Sequence, residues 1–311
     1  MSSTAFVQVP PTHHALTVTE GPNVAVTERP VPKITDDEIL VKVAATSLNP
    51  TDWKHVWMNL LKPGQSVGCD FAGDVVQVGK NVADVKVGEA VAGFVKGGTP
   101  DDNGAFQEFV KTDPKTVWTI PKTQVSYEDA APMGGIALTT AAHALFYRLK
   151  LPSPWETVNE PATVLIWAGS TSVGLYAIAL AKLSGLRVVT TASPKNHLLL
   201  KRIGADEVFD YKDPDTPRKI KEWSNGQIRH ALDSISENGE SICPPGQIVD
   251  LLQGSTKLVA DGMSDEGGKI ITILQVKRDD SFPPSAIETK GILVYKALHK
   301  DNAEYYPWMI E

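Results

Sequence analysis

The 311-residue chain is poor in cysteine, carrying Cys69 and Cys243 alone. Two thiols make no disulfide framework, and no C-x-x-C pair exists to hold a structural zinc. Basic runs are also missing. Thirty Lys and Arg face 37 Asp and Glu, for a formal net charge of −7, which argues against a nucleic-acid surface. Apolar stretches are broken by Gly, Lys or Ser within about ten residues, too short to span a bilayer. The opening "MSSTAFVQVPPTHHALTV" has no charged region followed by an apolar one, so no signal peptide and a cytoplasmic location are expected. Hydrophobic residues make up 42% and charged residues 22%, ordinary for a soluble globular protein with a sizeable core.

What is present falls into two patterns. Up to about residue 125, short runs rich in Val, Ile and Thr alternate with Pro, Gly, Asn and Asp. "HALTVTE", "NVAVTERP", "EILVKVAATSLNP" and "GDVVQVGKNVADVKVGEAVAGF" read as strands of a small barrel with tight turns. "GAFQEFVKTDPKTVWTIP" reads as a further strand pair. From Ser126 the chain becomes Ala-rich and helical, with Ser126 as N-cap and a break near Pro132 and Gly134-Gly135.

Beyond the polar connection 151–162, β/α alternation begins. Strands are predicted at Val164–Trp167, Arg187–Thr191, Glu207–Asp210, Ile228–Asp233 and Lys269–Leu274. Helices are predicted at Val173–Ser184, Lys195–Ile203 and Pro217–Trp223. Strands separated by helices imply a doubly wound parallel sheet. The reading is α/β: a barrel domain over 1–125, a nucleotide-binding domain over 126–275, and a return toward the barrel over 276–311.

The turn after the first of these strands, "AGSTSVG" (Ala168–Gly174), lacks Gly-x-Gly-x-x-Gly. It is still small enough for backbone N–H groups to approach a pyrophosphate at a helix N-terminus. Gly169 permits the turn, Ser170, Thr171 and Ser172 offer hydroxyls, and Gly174 lets the helix starting at Val173 pack closely. The second strand ends in "TTASPKN" without the acid that binds ribose hydroxyls in NAD enzymes. Ser193 and Lys195 stand there instead, flanking Pro194 and followed by Asn196. A hydroxyl and a cation suit the 2′-phosphate of NADPH. The plainer alternative is that Ser193 caps the next helix and Lys195 is solvated.

"NPTDWK" (Asn49–Lys54), "GCDFAGDVVQVG" (Gly68–Gly79), "AGSTSVG", "SPKN" and "GADEVFDYKDP" (Gly204–Pro214) together resemble the medium-chain dehydrogenase/reductase superfamily. Within it the chain is most similar to zinc-independent trans-acting enoyl reductases and ToxD-type proteins of fungal secondary metabolism, the group that includes the lovastatin enoyl reductase. The resemblance implies a GroES-like barrel followed by a Rossmann domain. It also implies NADPH-dependent reduction of an α,β-unsaturated thioester carried by a polyketide synthase, by a monomer or homodimer.

On the same resemblance, Thr51, Asp52, Trp53 and Lys54 lie beside the cofactor, with Lys54 as catalytic cation. Thr139 or Thr140 supplies a substrate-side hydroxyl. Tyr211 lies near the adenosine phosphate, and backbone groups at Ile273 and Leu274 contact the cofactor. Plainer alternatives stand beside these. Asp52 and Lys54 can form a surface pair, Tyr211 can pack at the sheet edge, Trp53 and Trp57 can be helix packing, and His143 can be a core histidine. Zinc-dependent relatives carry a Cys where this chain has Asn49 and a His–Glu pair where it has Cys69-Asp70. Their four-Cys lobe is absent, so no metal is expected. A quinone or enone reductase, and a catalytically weak nucleotide-binding homologue, are the alternative functions.

Two departures from the resemblance stand out. An insert spans Cys243 to Thr256, read either as a surface loop with a short helix at Ile248–Leu252 or as a retained intron. The family also continues past the point where this chain stops, so the 276–311 return reads as truncated.

Overall fold

Val- and Ala-rich segments bounded by Gly and Pro become strands because their side chains fill both faces of a small sheet. The computed structural model describes residues 8–158, 160–236, 254–274, 276 and 286–310. The expected helix at Ile248–Leu252, Cys243 and most of the insert lie outside them. Two compact units emerge: Met1–Ile136 with Val294–Glu311, and Ala137–Leu293.

In the first unit, β1 (Thr12–Val18) and β2 (Val24–Pro30) form an antiparallel hairpin. β3 (Ile39–Ser47) leads into helix α1 (Pro50–Trp57). Then come β4 (Asp70–Val78), β5 (Ala90–Phe94), β6 (Phe109–Thr112) and β7 (Val117–Thr119). Together with β3 they make an antiparallel sheet of order β6-β3-β4-β5-β7. Isolated bridges Ala15–Gln107 and Thr17–Ser66 join the hairpin to this body. Ile39, Val41, Phe71, Val75, Val91 and Val110 fill the interior.

β6 and β7 are not partners, contrary to the expected strand pair. β6 pairs with β3 and β7 with β5, at opposite edges of the sheet. The cause is a 3-10 turn at Pro114–Thr116, capped by the Asp113 carboxylate accepting from Lys115 N, which separates the two strands.

Helix α2 (Tyr127–Met133) starts at Ser126, whose hydroxyl accepts from Asp129 N. It packs on β3, β4 and β5, with Ala130 and Ala131 buried against Ala72, Ala90 and Ala92. This apolar face moves the unit boundary from the expected 125 to Ile136. At the other end, Val294–Glu311 belongs to the first unit, while 286–293 belongs to the second.

In the second unit, α3 (Ile136–Ala142), whose first residue Ile136 still belongs to the first unit, runs into a π-helical stretch at His143–Arg148. The alternation then reads β8 (Thr163–Trp167), α4 (Ser172–Leu183), β9 (Arg187–Thr191), α5 (His197–Ile203), β10 (Glu207–Phe209) and α6 (Thr216–Trp223). It continues through β11 (His230–Asp233), α7 (Ser255–Asp261), β12 (Gly268–Thr272) and β13 (Ile287–Gly291). The six strands are parallel, in the order β10-β9-β8-β11-β12-β13. That is the doubly wound dinucleotide-binding order, in which the sequence-first strand lies inside and neighbours are added on either side.

Alternate residues of β8 feed two cores, as coverage on both faces requires. Val164 and Ile166 pack with Ala177, Ile178 and Ala181 of α4 and Leu200 of α5. Leu165 and Trp167 pack with Ile220 of α6 and Val259 of α7. Burying each large side chain contributes about 1.5–3 kcal/mol. The expected helix at Lys195–Ile203 splits into a 3-10 turn at Pro194–Asn196 and then α5. β13, "IETKG", was not among the expected strands. It is a short edge strand whose residues alternate between buried or half-buried and exposed.

Candidate functional site

The second unit collects most of the expected cofactor residues at the carboxyl ends of its parallel strands. Ligands of open α/β sheets bind there, where strand order reverses. Ala168–Val173 follows β8, Ser193–Asn196 follows β9, Tyr211 follows β10, and Ile273-Leu274 follows β12.

The turn after β8 is tight for reasons that can be read atom by atom. Ala168 adopts a left-handed φ of 61°. A Cβ on Gly169 would lie 2.2 Å from Thr190 Oγ1, and one on Gly174 would lie 2.6 Å from the Ala168 carbonyl oxygen. Neither position admits a side chain. Gly169 N donates to the Thr191 carbonyl at 2.9 Å and Ala168 N to Thr191 Oγ1 at 2.9 Å.

Thr171 is the N-cap of α4, its hydroxyl accepting from Gly174 N at 3.0 Å. Its backbone N–H donates to the Ala168 carbonyl. Gly169 N–H and the Thr171 hydroxyl are spent building the turn, not left facing a ligand. The groups that remain are the exposed side chains of Ser170 and Ser172, with the N–H groups of Ser172 and Val173, the first two residues of α4. Those N–H groups have no acceptor within the helix, and the helix dipole adds partial positive charge. Such a donor set fits a pyrophosphate.

After β9, Ser193 occupies an N-cap position but makes no side-chain cap bond. It is half-buried and Lys195 exposed, and Lys195 forms no ion pair among the described residues. The capping alternative for Ser193 therefore does not hold. Tyr211 is half-buried against the α6–α7 face, with Lys212 Nζ 6.0 Å from its ring centroid.

Ser234 and its neighbours went unnoticed in the sequence. Ser234 Oγ donates to the Trp167 carbonyl at 2.6 Å and receives Thr171 Oγ1 at 3.0 Å, tying β8 to β11 across the strand-order reversal. Asp233 is fully buried. It accepts from Ser255 and Thr256 hydroxyls and from Ile235 and Ser236 N–H groups. Burial raises its carboxyl pKa. Ser236 Oγ in turn accepts from Ile273 N at 2.8 Å, and the Leu274 carbonyl accepts from Thr272 Oγ1. Each of those two backbone groups, expected near a cofactor, thus has one partner within the loop. The available signal was "LDSIS", polar residues directly after an apolar parallel strand.

Thr139 is half-buried and Thr140 buried on α3. His143 is fully buried and stacks on Tyr147, ring centroids 5.0 Å apart.

The first unit holds a second cluster, around α1. Asp52 is turned inward and its carboxylate accepts from Asn49 N at 2.7 Å, capping the helix. Burial raises its pKa. Asp52 is thereby held in the helix start and not at the surface, where a pair with Lys54 was the plainer expectation. Lys54 is half-buried, its Nζ 5.7 Å from the Trp53 ring centroid. Asp70 gathers three donors: Ser47 Oγ at 2.6 Å, Asn49 Nδ2 at 2.7 Å and Ile136 N at 2.8 Å. Desolvation nevertheless pushes its carboxyl up to about 6.

Cys69 Sγ meets the Tyr295 hydroxyl at 2.9 Å, and that hydroxyl lies 3.1 Å from Thr51 Oγ1. Thr51 Oγ1 is also 3.1 Å from His55 Nε2. Burial, and then the charge of Asp52, raise the Cys69 thiol, and burial raises the Tyr295 phenol. Both stay protonated at neutral pH. Burial and Lys96 hold His55 below the ordinary imidazole value. Among the described residues, no three His, Cys, Asp or Glu side chains are arranged to hold a metal ion. No helix among them is long and apolar enough to cross a membrane.

Two family models match the chain: the alcohol dehydrogenase GroES-like domain over residues 35–122, and the zinc-binding dehydrogenase domain over residues 172–243. The trans-enoyl reductase ACTTS2 of Alternaria alternata is 38% identical over 299 residues, covering 95% of this chain and 81% of its own length. The trans-enoyl reductase TOXD of Cochliobolus carbonum is 36% identical over 286 residues, 90% of this chain and 89% of its own. Among solved structures, the quinone oxidoreductase from Coxiella burnetii aligns over 96% of this chain and 87% of its own, with a TM-score of 0.70 and 24% identity. An alcohol dehydrogenase superfamily protein from Novosphingobium aromaticivorans aligns over 96% and 84%, with a TM-score of 0.77 and 21% identity. At such identities the structures share the fold.

Proposed function

The chain belongs to the trans-enoyl reductase family of the medium-chain dehydrogenase/reductases, and from that membership we propose that it is an NADPH-dependent enoyl reductase. It acts in trans on an α,β-unsaturated thioester carried by a polyketide synthase. The observation that carries the cofactor choice is the end of β9. Ser193 and exposed Lys195 stand where a ribose-binding acid would sit, and among the described residues neither is engaged by a cap bond or an ion pair. A carboxylate there would repel a 2′-phosphate, whereas a cation and a hydroxyl attract it.

NADPH, when bound, supplies the hydride that adds to the β-carbon of the substrate. The turn Ser170–Val173 holds the pyrophosphate on backbone N–H groups and exposed serine hydroxyls. Ser193 and Lys195 hold the 2′-phosphate. The electron pair displaced from the C=C bond gathers on the thioester oxygen as an enolate. The family resemblance gives Lys54 the role of the cation that offsets such charge and gives Thr139 or Thr140 a substrate-side hydroxyl. Removing a donor of this kind typically costs 10²–10³ in rate. A proton delivered to the α-carbon completes the saturated thioester.

The test is reconstitution. The purified protein and NADPH are added to a polyketide synthase whose own enoyl reduction is missing, and the released product is analysed by mass. A product heavier by two hydrogens is expected. An unsaturated product, identical with and without the protein, would overturn the reading.

A further inference from the structure

β9 ends at Thr191, and the sheet orients one peptide more. The Thr191 carbonyl accepts from Gly169 N at 2.9 Å, and Ala192 N, in the same peptide, donates to the Phe209 carbonyl at 3.0 Å. The next peptide, Ala192–Ser193, is oriented by a side chain. Half-buried His197 places Nε2 3.0 Å from the Ala192 carbonyl oxygen. A carbonyl only accepts, so Nε2 carries the hydrogen and donates it.

A trans peptide is planar, and its C=O and N–H point opposite ways. Holding the Ala192 carbonyl against the His197 ring therefore turns the Ser193 N–H away from that ring. Among the described residues, this N–H meets no acceptor. The next two carbonyls are also taken up within the loop, that of Ser193 by Asn196 N at 2.9 Å and that of Pro194 by His197 N. Three carbonyls are thus occupied, and a backbone donor is left in the stretch that carries the Ser193 hydroxyl and Lys195.

We propose that His197 is a positioning residue for cofactor choice, fixing the Ala192–Ser193 peptide so that the Ser193 N–H donates to the 2′-phosphate of NADPH. The proposal rests on the reading that Ser193 and Lys195 meet that phosphate. A phosphate dianion only accepts hydrogen bonds, so an N–H attracts it and a carbonyl oxygen repels it. The 2′-hydroxyl of NADH both donates and accepts, so it tolerates either orientation of the peptide. Releasing the Ala192 carbonyl is therefore felt by NADPH and not by NADH.

The experiment is fluorescence titration of NADPH and NADH, without substrate, at about pH 8, where the 2′-phosphate is a dianion. It compares the full chain with His197→Gln and His197→Met. The two replacements match in length, but glutamine keeps an N–H donor near the place of Nε2 and methionine has none. Given the worth of a hydrogen bond to a charged group, His197→Met should weaken NADPH about tenfold or more and NADH less than about twofold. His197→Gln should keep most of the preference for NADPH.

The same ratio of NADPH to NADH affinity in the glutamine and methionine variants overturns the proposal. So does a methionine variant that loses both cofactors in parallel, since His197 would then only support the fold of the loop. A wild-type chain that prefers NADPH while the two variants behave alike leaves the cofactor reading standing and removes His197 from it. A wild-type chain that binds the two cofactors equally overturns the NADPH reading, and this proposal with it.

Discussion

Lys195 is the residue on which the proposed cofactor choice turns. It is exposed and without an ion pair among the described residues, so replacing it removes a cation and breaks nothing else. Losing a charge-assisted contact to phosphate costs on the order of 1.5–3 kcal/mol, about ten- to a hundredfold in affinity. Lys195→Ala should weaken NADPH by that factor and leave NADH nearly unchanged, as read by parallel titrations. Equal losses for the two cofactors would mean that the lysine does not meet the 2′-phosphate. At this scale the sequence was informative where chemistry is local. The positions of the turn after β8 and of the end of β9 were legible because each is a contiguous stretch that directly follows an apolar strand. Tyr295, Ser234 and Asp233 were not, since their roles come from partners far along the chain. Thr171 and Asp52 were legible as polar residues near a helix start, but a list of hydroxyls and acids does not say which are spent on the helix itself.

Elements are held together in the first unit by one buried acid. Asp70 opens β4 and takes donors from the end of β3, from Asn49 ahead of α1 and from the first residue of α3. A Cβ on Gly135 would lie 2.2 Å from Asp70 Oδ2, so the chain can pass the carboxylate there because the residue is glycine. Desolvation outweighs these donors and raises the carboxyl from 3.8 to about 6. Between those values the folded state binds more protons than the unfolded state, so stability falls as pH rises through this window. The gap of about two units corresponds to roughly 3 kcal/mol. Asp70→Asn cannot titrate. Its mismatched amide carries a fixed cost, so the variant should compare better with wild type at pH 7.5 than at pH 4.5, by about 2 kcal/mol in denaturant unfolding. Parallel pH curves would show that the donors hold Asp70 near its ordinary value. Strand and helix positions in the second unit were predictable because both-face burial makes each strand an apolar run and each helix a periodic one. The pairing of β6 and β7 was not, because a short connection suggests a hairpin unless its turn is known to separate the two strands.

On the scale of the whole molecule, the first unit is built from both ends of the sequence. Val294, Tyr295, Leu298 and Met309 pack with Cys69, Phe94 and Ile136. The Tyr306 hydroxyl donates to Asp113 Oδ2 at 2.7 Å, and Lys300 Nζ lies 3.3 Å from the same oxygen. Composition set the expected boundary near residue 125, but contacts made by the last stretch of chain define the unit. Ending the chain at Leu293 would strip this patch and expose the faces of Phe94 and Ile136. Cavities left by single large core side chains cost about 2–5 kcal/mol, and here several side chains leave together. The truncated chain should melt at least ~10 °C lower, at 2–4 °C per kcal/mol for a domain of this size. The loss should be confined to the first unit. Hydrogen exchange followed by peptide mass analysis reads this directly, with protection lost in β4 and β5 and retained in β8, β9 and β11. Uniform loss across both units would mean that they unfold as one. Unchanged protection in β4 and β5 would mean that the returning segment lies on the first unit without supporting it.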